Sequence, residues 1–150
     1  MPSSRAVALV STLRVASEAL IALVESIDAG HWARVPADGV WSISKDAEHV
    51  AEGNLLHQWH IRQSLSLEAG PRPPIERDRP TAIGSQPDVV DLLLQCTEES
   101  VRLISSLTEE QLDLPMRTRT RSVAEMIERV LIGHYDTHRK EIQAKLRRAP

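Results

Sequence analysis

A repeat constrains this chain more than any of its motifs. Shifting the sequence by 80 residues pairs Ile21 with Val101, Val24 with Ile104, Ile27 with Leu107 and Asp28 with Thr108. After connections of equal length, Ser42 pairs with Ser122, Ile43 with Val123, Glu48 with Glu128 and Val50 with Val130. Each half reads as a long helix, a short capped turn, a loop and a second long helix. Such a unit cannot bury its apolar stripe alone, so the two copies must pack together.

The helical reading comes from periodicity. Ala6, Leu9, Leu13, Ala16, Leu20, Leu23 and Ile27 recur at steps of three and four behind a cap at Ser3 or Ser4. Asp28-Ala29-Gly30-His31 breaks that helix. Ser42 or Ser44 caps a second helix to about Leu67, with Ala47, Val50, Ala51, Leu55, Trp59 and Leu65 as its apolar contacts. Pro87 suits the first position of a third helix with Val90, Leu94, Thr97, Val101 and Ile104 as its stripe. Thr108-Glu-Glu-Gln111 boxes a short turn, and Ser122-x-x-Glu125 caps a last amphipathic helix from Ser122 to Leu146.

Between the second and third helices, Glu68 to Gln86 is rich in Pro, Gly and charge and has no period. Extended at ~3.3 Å per residue, it can cross a ~30 Å helix. The second and third helices can then run parallel, which predicts a single all-α domain over residues 1–150. Its architecture is a four-helix bundle in up-down-down-up order with one long connection.

Composition narrows the functions. The chain has no Phe, one Tyr and three Trp, too few rings to line a flavin or nucleobase pocket. A net charge of −3 offers no general attraction to phosphate backbones, which argues against nucleic acid. Cys96 is the only cysteine and has no cationic neighbour in sequence, so it is expected to pack in the core. Arg14 and Glu18 interrupt the apolar run after Ala6, so no membrane span is expected and the cytoplasm is the expected location.

The chemistry resides in histidines. His134 and His138 are four residues apart on the last helix, so both rings leave one face and can reach one ion. A third ligand must come from elsewhere. His49 sits about one and a half turns inside the second helix, and His138 about two turns from the end of the fourth. If those helices are antiparallel, these positions lie at the same end of the bundle, and the three rings converge. A histidine near Leu65 could not have joined them. His57 and His60 read as core or boundary residues. Three neutral imidazoles suit Zn²⁺ or Ni²⁺ and leave a coordination position open, as catalytic sites do. Glu52, one turn beyond His49, is the candidate base or supporting carboxylate, whereas Asp136 faces away from His134. Trp41 and Tyr135 are expected around the site, as packing and substrate-contacting groups. The loops Gly30–Trp41 and Ile83–Pro87 should border it. Arg117, Arg119 and Arg121 look like an anion site at a helix start, but the topology puts that loop at the opposite end.

These residues resemble the DinB/YfiT-like superfamily. The matches are Trp41-Ser42 followed by His49, then Gly133-His134-Tyr135 with His138 and Ile142. DAGHWARVPADGVW before them is also similar to mycothiol-dependent maleylpyruvate isomerase N-terminal domains, which carry Glu where this chain has His134. The resemblance implies a four-helix bundle holding a divalent metal through one histidine of the second helix and two of the fourth. It further implies a metal-dependent transferase or hydrolase acting on a small molecule, with a low-molecular-weight thiol as a possible co-substrate. A homodimer is also expected. The competing expectation is a non-catalytic, metal-binding or dimerising stress-response module.

Overall fold

A computed structural model describes residues 3–117 and 120–149. The described residues form helices α1 (Ser4–Ser26), α2 (Ala29–Trp32), α3 (Ile43–Ser64), α4 (Gln86–Ser105), α5 (Glu109–Asp113) and α6 (Val123–Met126). A π-helical segment, Ile127–Ile132, follows α6 and runs into α7 (Gly133–Arg148).

Capping chemistry explains the boundaries. Ser3 caps α1 by accepting from the Ala6 amide, Ser42 caps α3 by accepting from Lys45, and Ser122 forms a reciprocal capping box with Glu125. Asp28 and Thr108, equivalent in the repeat, cap the short helices α2 and α5. Helix α4 begins one residue earlier than expected, because Ser85 and Asp88 form a capping box ahead of Pro87. Helix α3 ends at Ser64, short of Leu67, and Ser66 then turns with φ 55°.

Helix α1 packs against α4 and α7, and α3 packs against the same two. Leu13, Leu20, Ile61, Leu93, Ile104, Ile127, Leu131 and Ile142 are fully buried in the aliphatic core they share. Contacts between ends set the directions. Arg5 at the start of α1 pairs with Glu109 and Asp113 beyond the end of α4 (3.3 and 2.8 Å), and Gln86 at the start of α4 donates to the Ile27 carbonyl (2.9 Å). Arg117 donates through its amide to Ser64 at the end of α3, whereas Asp46 near its start binds His138 and Lys145 near the end of α7.

By length and composition α1 could also cross a membrane. Arg14 does not lower its hydropathy enough to prevent that; it lies on the exposed face and pairs with Glu98 at 2.6 Å.

The connection after α3 runs back along that helix. Trp59 donates to the Gly70 carbonyl (3.1 Å), Trp41 to the Arg77 carbonyl (3.2 Å), and Ser42 to the Pro80 carbonyl (2.9 Å). Glu48 fastens its far end, taking the Ile83 amide (2.9 Å) and Arg79 (3.2 Å).

The π segment corrects the reading of Ser122–Leu146 as one regular helix. Its wider turn takes in one more residue than an α turn, so the repeat's register slips. Equivalent positions touch across the two halves at Ser17 and Thr97, 80 residues apart (2.9 Å). Beyond the π segment, the touching pair is Asn54 and Tyr135, 81 apart (2.9 Å).

Candidate metal centre

Helix α3 supplies His49, and α7, immediately after the π segment, supplies His134 and His138. Ring centroids lie 4.9 Å apart for His49–His134, 5.1 Å for His49–His138 and 4.5 Å for His134–His138. One potential ligand atom from each ring lies within 4.8 Å of the others. The Nε2 atoms of His134 and His138 face each other at 3.0 Å. Two imidazoles on one tetrahedral ion at ~2.0–2.1 Å place their nitrogens about 3.3 Å apart. The pair therefore fits an ion with an adjustment of a few tenths of an ångström.

The back of one ring, that of His138, is held by carboxylates. His138 Nδ1 meets Asp46 Oδ1 at 3.1 Å and Glu141 Oε2 at 3.0 Å, and Lys145 pairs with the other oxygen of Asp46. A proton held on Nδ1 by these carboxylates leaves Nε2 with its lone pair, the tautomer a metal requires. Asp46, His138 and Glu141 also form a ligand-like cluster of their own. Because Asp46 is already neutralised by Lys145, the carboxylates support His138 rather than compete for it.

His49 is 7% exposed and lies against the Trp41 ring (4.9 Å). Glu52 Oε2 lies 3.8 Å from His49 Nδ1, and Glu52 Oε1 lies 3.7 Å from the fully buried Lys45 ammonium. Burial raises the Glu52 pKa. Burial lowers the His49 pKa to about 4 and the His134 pKa to about 3. At neutral pH both rings are therefore uncharged, as ligation demands. His134 Nδ1 is buried without a hydrogen-bond partner.

Gly53 makes room for the His134 ring. A Cβ at position 53 would fall 2.6 Å from His134 Nδ1 and closer still to Cε1. Any side chain there displaces the ring.

The expected residues separate cleanly. His49, His134, His138, Trp41 and Glu52 come together. Tyr135 does not: it is 1% exposed, and its hydroxyl is taken up by Asn54 (2.9 Å) and Thr97 (2.7 Å) in the interior, so it serves the core and not a substrate. Asp136 turns outward to Arg139 (3.6 Å). Cys96 is buried, and burial pushes its thiol up to about 12, so it supplies no thiolate. The ring of His57 reaches 5.4 Å from that of His134, and His60 stacks edge-on against Trp59. Arg117 is bound to Gln63 and Ser64 at the far end of α3, away from His49; Arg119 lies outside the described residues.

Asp46, Glu141, Lys145 and Gly53 were missed from sequence. Glu141 had a local signal, one turn beyond His138. The others depend on which faces of α3 and α7 meet.

A recess opens over the His49 and His138 rings, lined also by Trp41, Asp46, Glu141 and Lys145. The loop before α3 borders it, as expected, through Gly39 and Val40, whereas residues 83–87, also expected there, do not line it. Neither curated proteins nor solved structures yield a match. A family model described as the DinB superfamily matches residues 12–142, a span that includes all three histidines. The chain belongs to the DinB superfamily.

Proposed function

We propose that the protein is a divalent-metal enzyme, a transferase or hydrolase acting on a small molecule, with its ion on His49, His134 and His138. The observation that carries this reading is the approach of three imidazoles, His49 and His138 buried and His134 half-buried, beside an open recess, with carboxylates behind His138. Zinc or nickel suits this nitrogen set. An ion there supplies Lewis acidity and lowers the pKa of a water or thiol bound to it.

The chain's own groups have distinct tasks. Asp46 and Glu141 hold the His138 proton on Nδ1. Glu52 stands beside His49 and is the candidate base, while Trp41 forms a wall for the substrate. Since Cys96 offers no thiolate, a sulfur nucleophile must come from a low-molecular-weight thiol, as the family resemblance implies. The end-to-end contacts support an up-down-down-up order, which brings His49 and His138 to the same end. We further assign the protein to the cytoplasm, as a homodimer.

A competing reading has a specific support: the His57 ring is near enough to His134 to suggest a fourth protein ligand and a closed, non-catalytic shell. Zinc- and nickel-loaded protein should be screened against electrophiles with several cellular thiols. The enzyme reading expects metal-dependent turnover that disappears in His134→Ala. Metal binding without turnover, together with Co²⁺ spectra of a closed shell that opens in His57→Ala, would favour the non-catalytic module.

A further inference from the structure

A second concavity adjoins the histidine recess. It has a volume of about 350 Å³ and lies between the loop before α3 and the end of α7. That is near the lower end of the ~300–1,000 Å³ typical of small-molecule sites. Arg34, Lys145 and Arg148 line it, with Pro36, Val40 and Ile43 as an apolar wall.

Among the described residues, no carboxylate lines this cavity, although the chain as a whole carries −3. The local sign is therefore reversed. Lysine and arginine in a final helical turn have an ordinary explanation, since they complement the negative end of the helix. That accounts for Lys145 and Arg148 but not for Arg34, which the loop brings to the same cavity. The start of α3 and the end of α7 meet here with opposed dipoles, so side chains decide the field. His31 also lines the cavity, but its ring is held by Asp28 at 2.7 Å. Lys145 is shared with Asp46. Among the described residues, Arg34 and Arg148 form no ion pair, which leaves two guanidinium groups facing an apolar wall.

We infer that this cavity binds an anionic small molecule, a carboxylate on a short aliphatic body, held by Arg34 and Arg148 beside the histidine cluster. The cavity and the histidine recess share Val40 and Lys145, so a ligand anchored in one extends towards the other. This deepens the proposed function by naming the charge of its substrate. It depends on the metal reading only for which end of the ligand meets the ion.

The test is an NMR titration of the full chain with hexanoate and with hexanamide, metal-free and zinc-loaded. Hexanoate should shift the amides of residues 34–43 and 145–149 even in metal-free protein. Replacing the charge by the amide should weaken binding about tenfold or more, as should R34Q/R148Q, because a charge-assisted contact is lost. Both arginines are exposed, so the variants should fold; R34Q and R148Q singly provide a second reading. Equal affinity for hexanoate and hexanamide, or undiminished binding by all three variants, would overturn the inference. So would hexanoate binding that needs zinc and is lost in His134→Ala, which would place the carboxylate on the ion and leave the metal reading intact. Hexanoate binding by a protein that takes up no zinc would do the reverse: the anion site stands and the metal reading fails.

Discussion

The second helices of the two halves begin alike and diverge in the middle. Helix α3 stays regular from Ile43 to Ser64, while its counterpart passes through the π segment Ile127–Ile132 before α7. The difference divides the labour at the site. The π side presents two candidate ligands one turn apart, His134 and His138. The regular side presents one candidate ligand, His49, together with the parts that shape the others: Asp46 behind His138 and the bare backbone of Gly53 against His134. A symmetry of sequence carries an asymmetry of roles, and the one-residue slip in register accompanies it.

That division can be broken from either side. The largest effect should come from His134→Ala, which removes a ligand from the π side: metal content measured by elemental analysis should fall from about one ion per chain to background, with helicity by circular dichroism retained. Gly53→Ala attacks from the regular side. Alanine favours a helix over glycine by up to ~1 kcal/mol, so α3 itself should not suffer. Metal affinity should nevertheless drop by about 10–100-fold as the His134 ring is displaced, comparable to losing an outer-shell partner. Unchanged affinity would show that the ring has another place to go. Asp46→Asn should weaken metal binding about tenfold by loosening His138, measured by competition with a chelator.

The smallest effect is on the metal-free protein. His49 and His134 have folded pKa values lowered to about 4 and about 3, against an ordinary value of ~6.5. Below ~6.5 the unfolded chain takes up protons that the folded chain refuses, so stability rises with pH across this window. The Tm of metal-free protein should therefore fall as pH drops from 7 towards 4, and fall less steeply in His134→Ala. A flat profile would contradict the burial that keeps these rings neutral.

Much of this was readable from residues. Caps are local chemistry, so Ser42, Thr108 and Ser122 announced their helices, and the spacing of His134 and His138 announced a shared face. His49 could be found because the repeat and the long connection implied which ends meet. The π segment could not be foreseen, since Ile-Glu-Arg-Val-Leu-Ile differs from ordinary helix only in which carbonyl each amide reaches. Tyr135 was misplaced because its neighbour His134 faces the site, while its own side chain, about 100° further round, enters the core. Gly53 and the Asp46–Lys145 pair become visible only when two helices far apart in sequence are set against each other.

The central claim is that three imidazoles from α3 and α7 hold one ion with a position left open. X-ray absorption of the zinc-loaded protein, read alongside the His49→Ala variant, tests it most directly. The account predicts three imidazole nitrogens and one exchangeable light ligand, with one imidazole lost in the variant. A shell of four protein ligands, or one unchanged by removing His49, would contradict it.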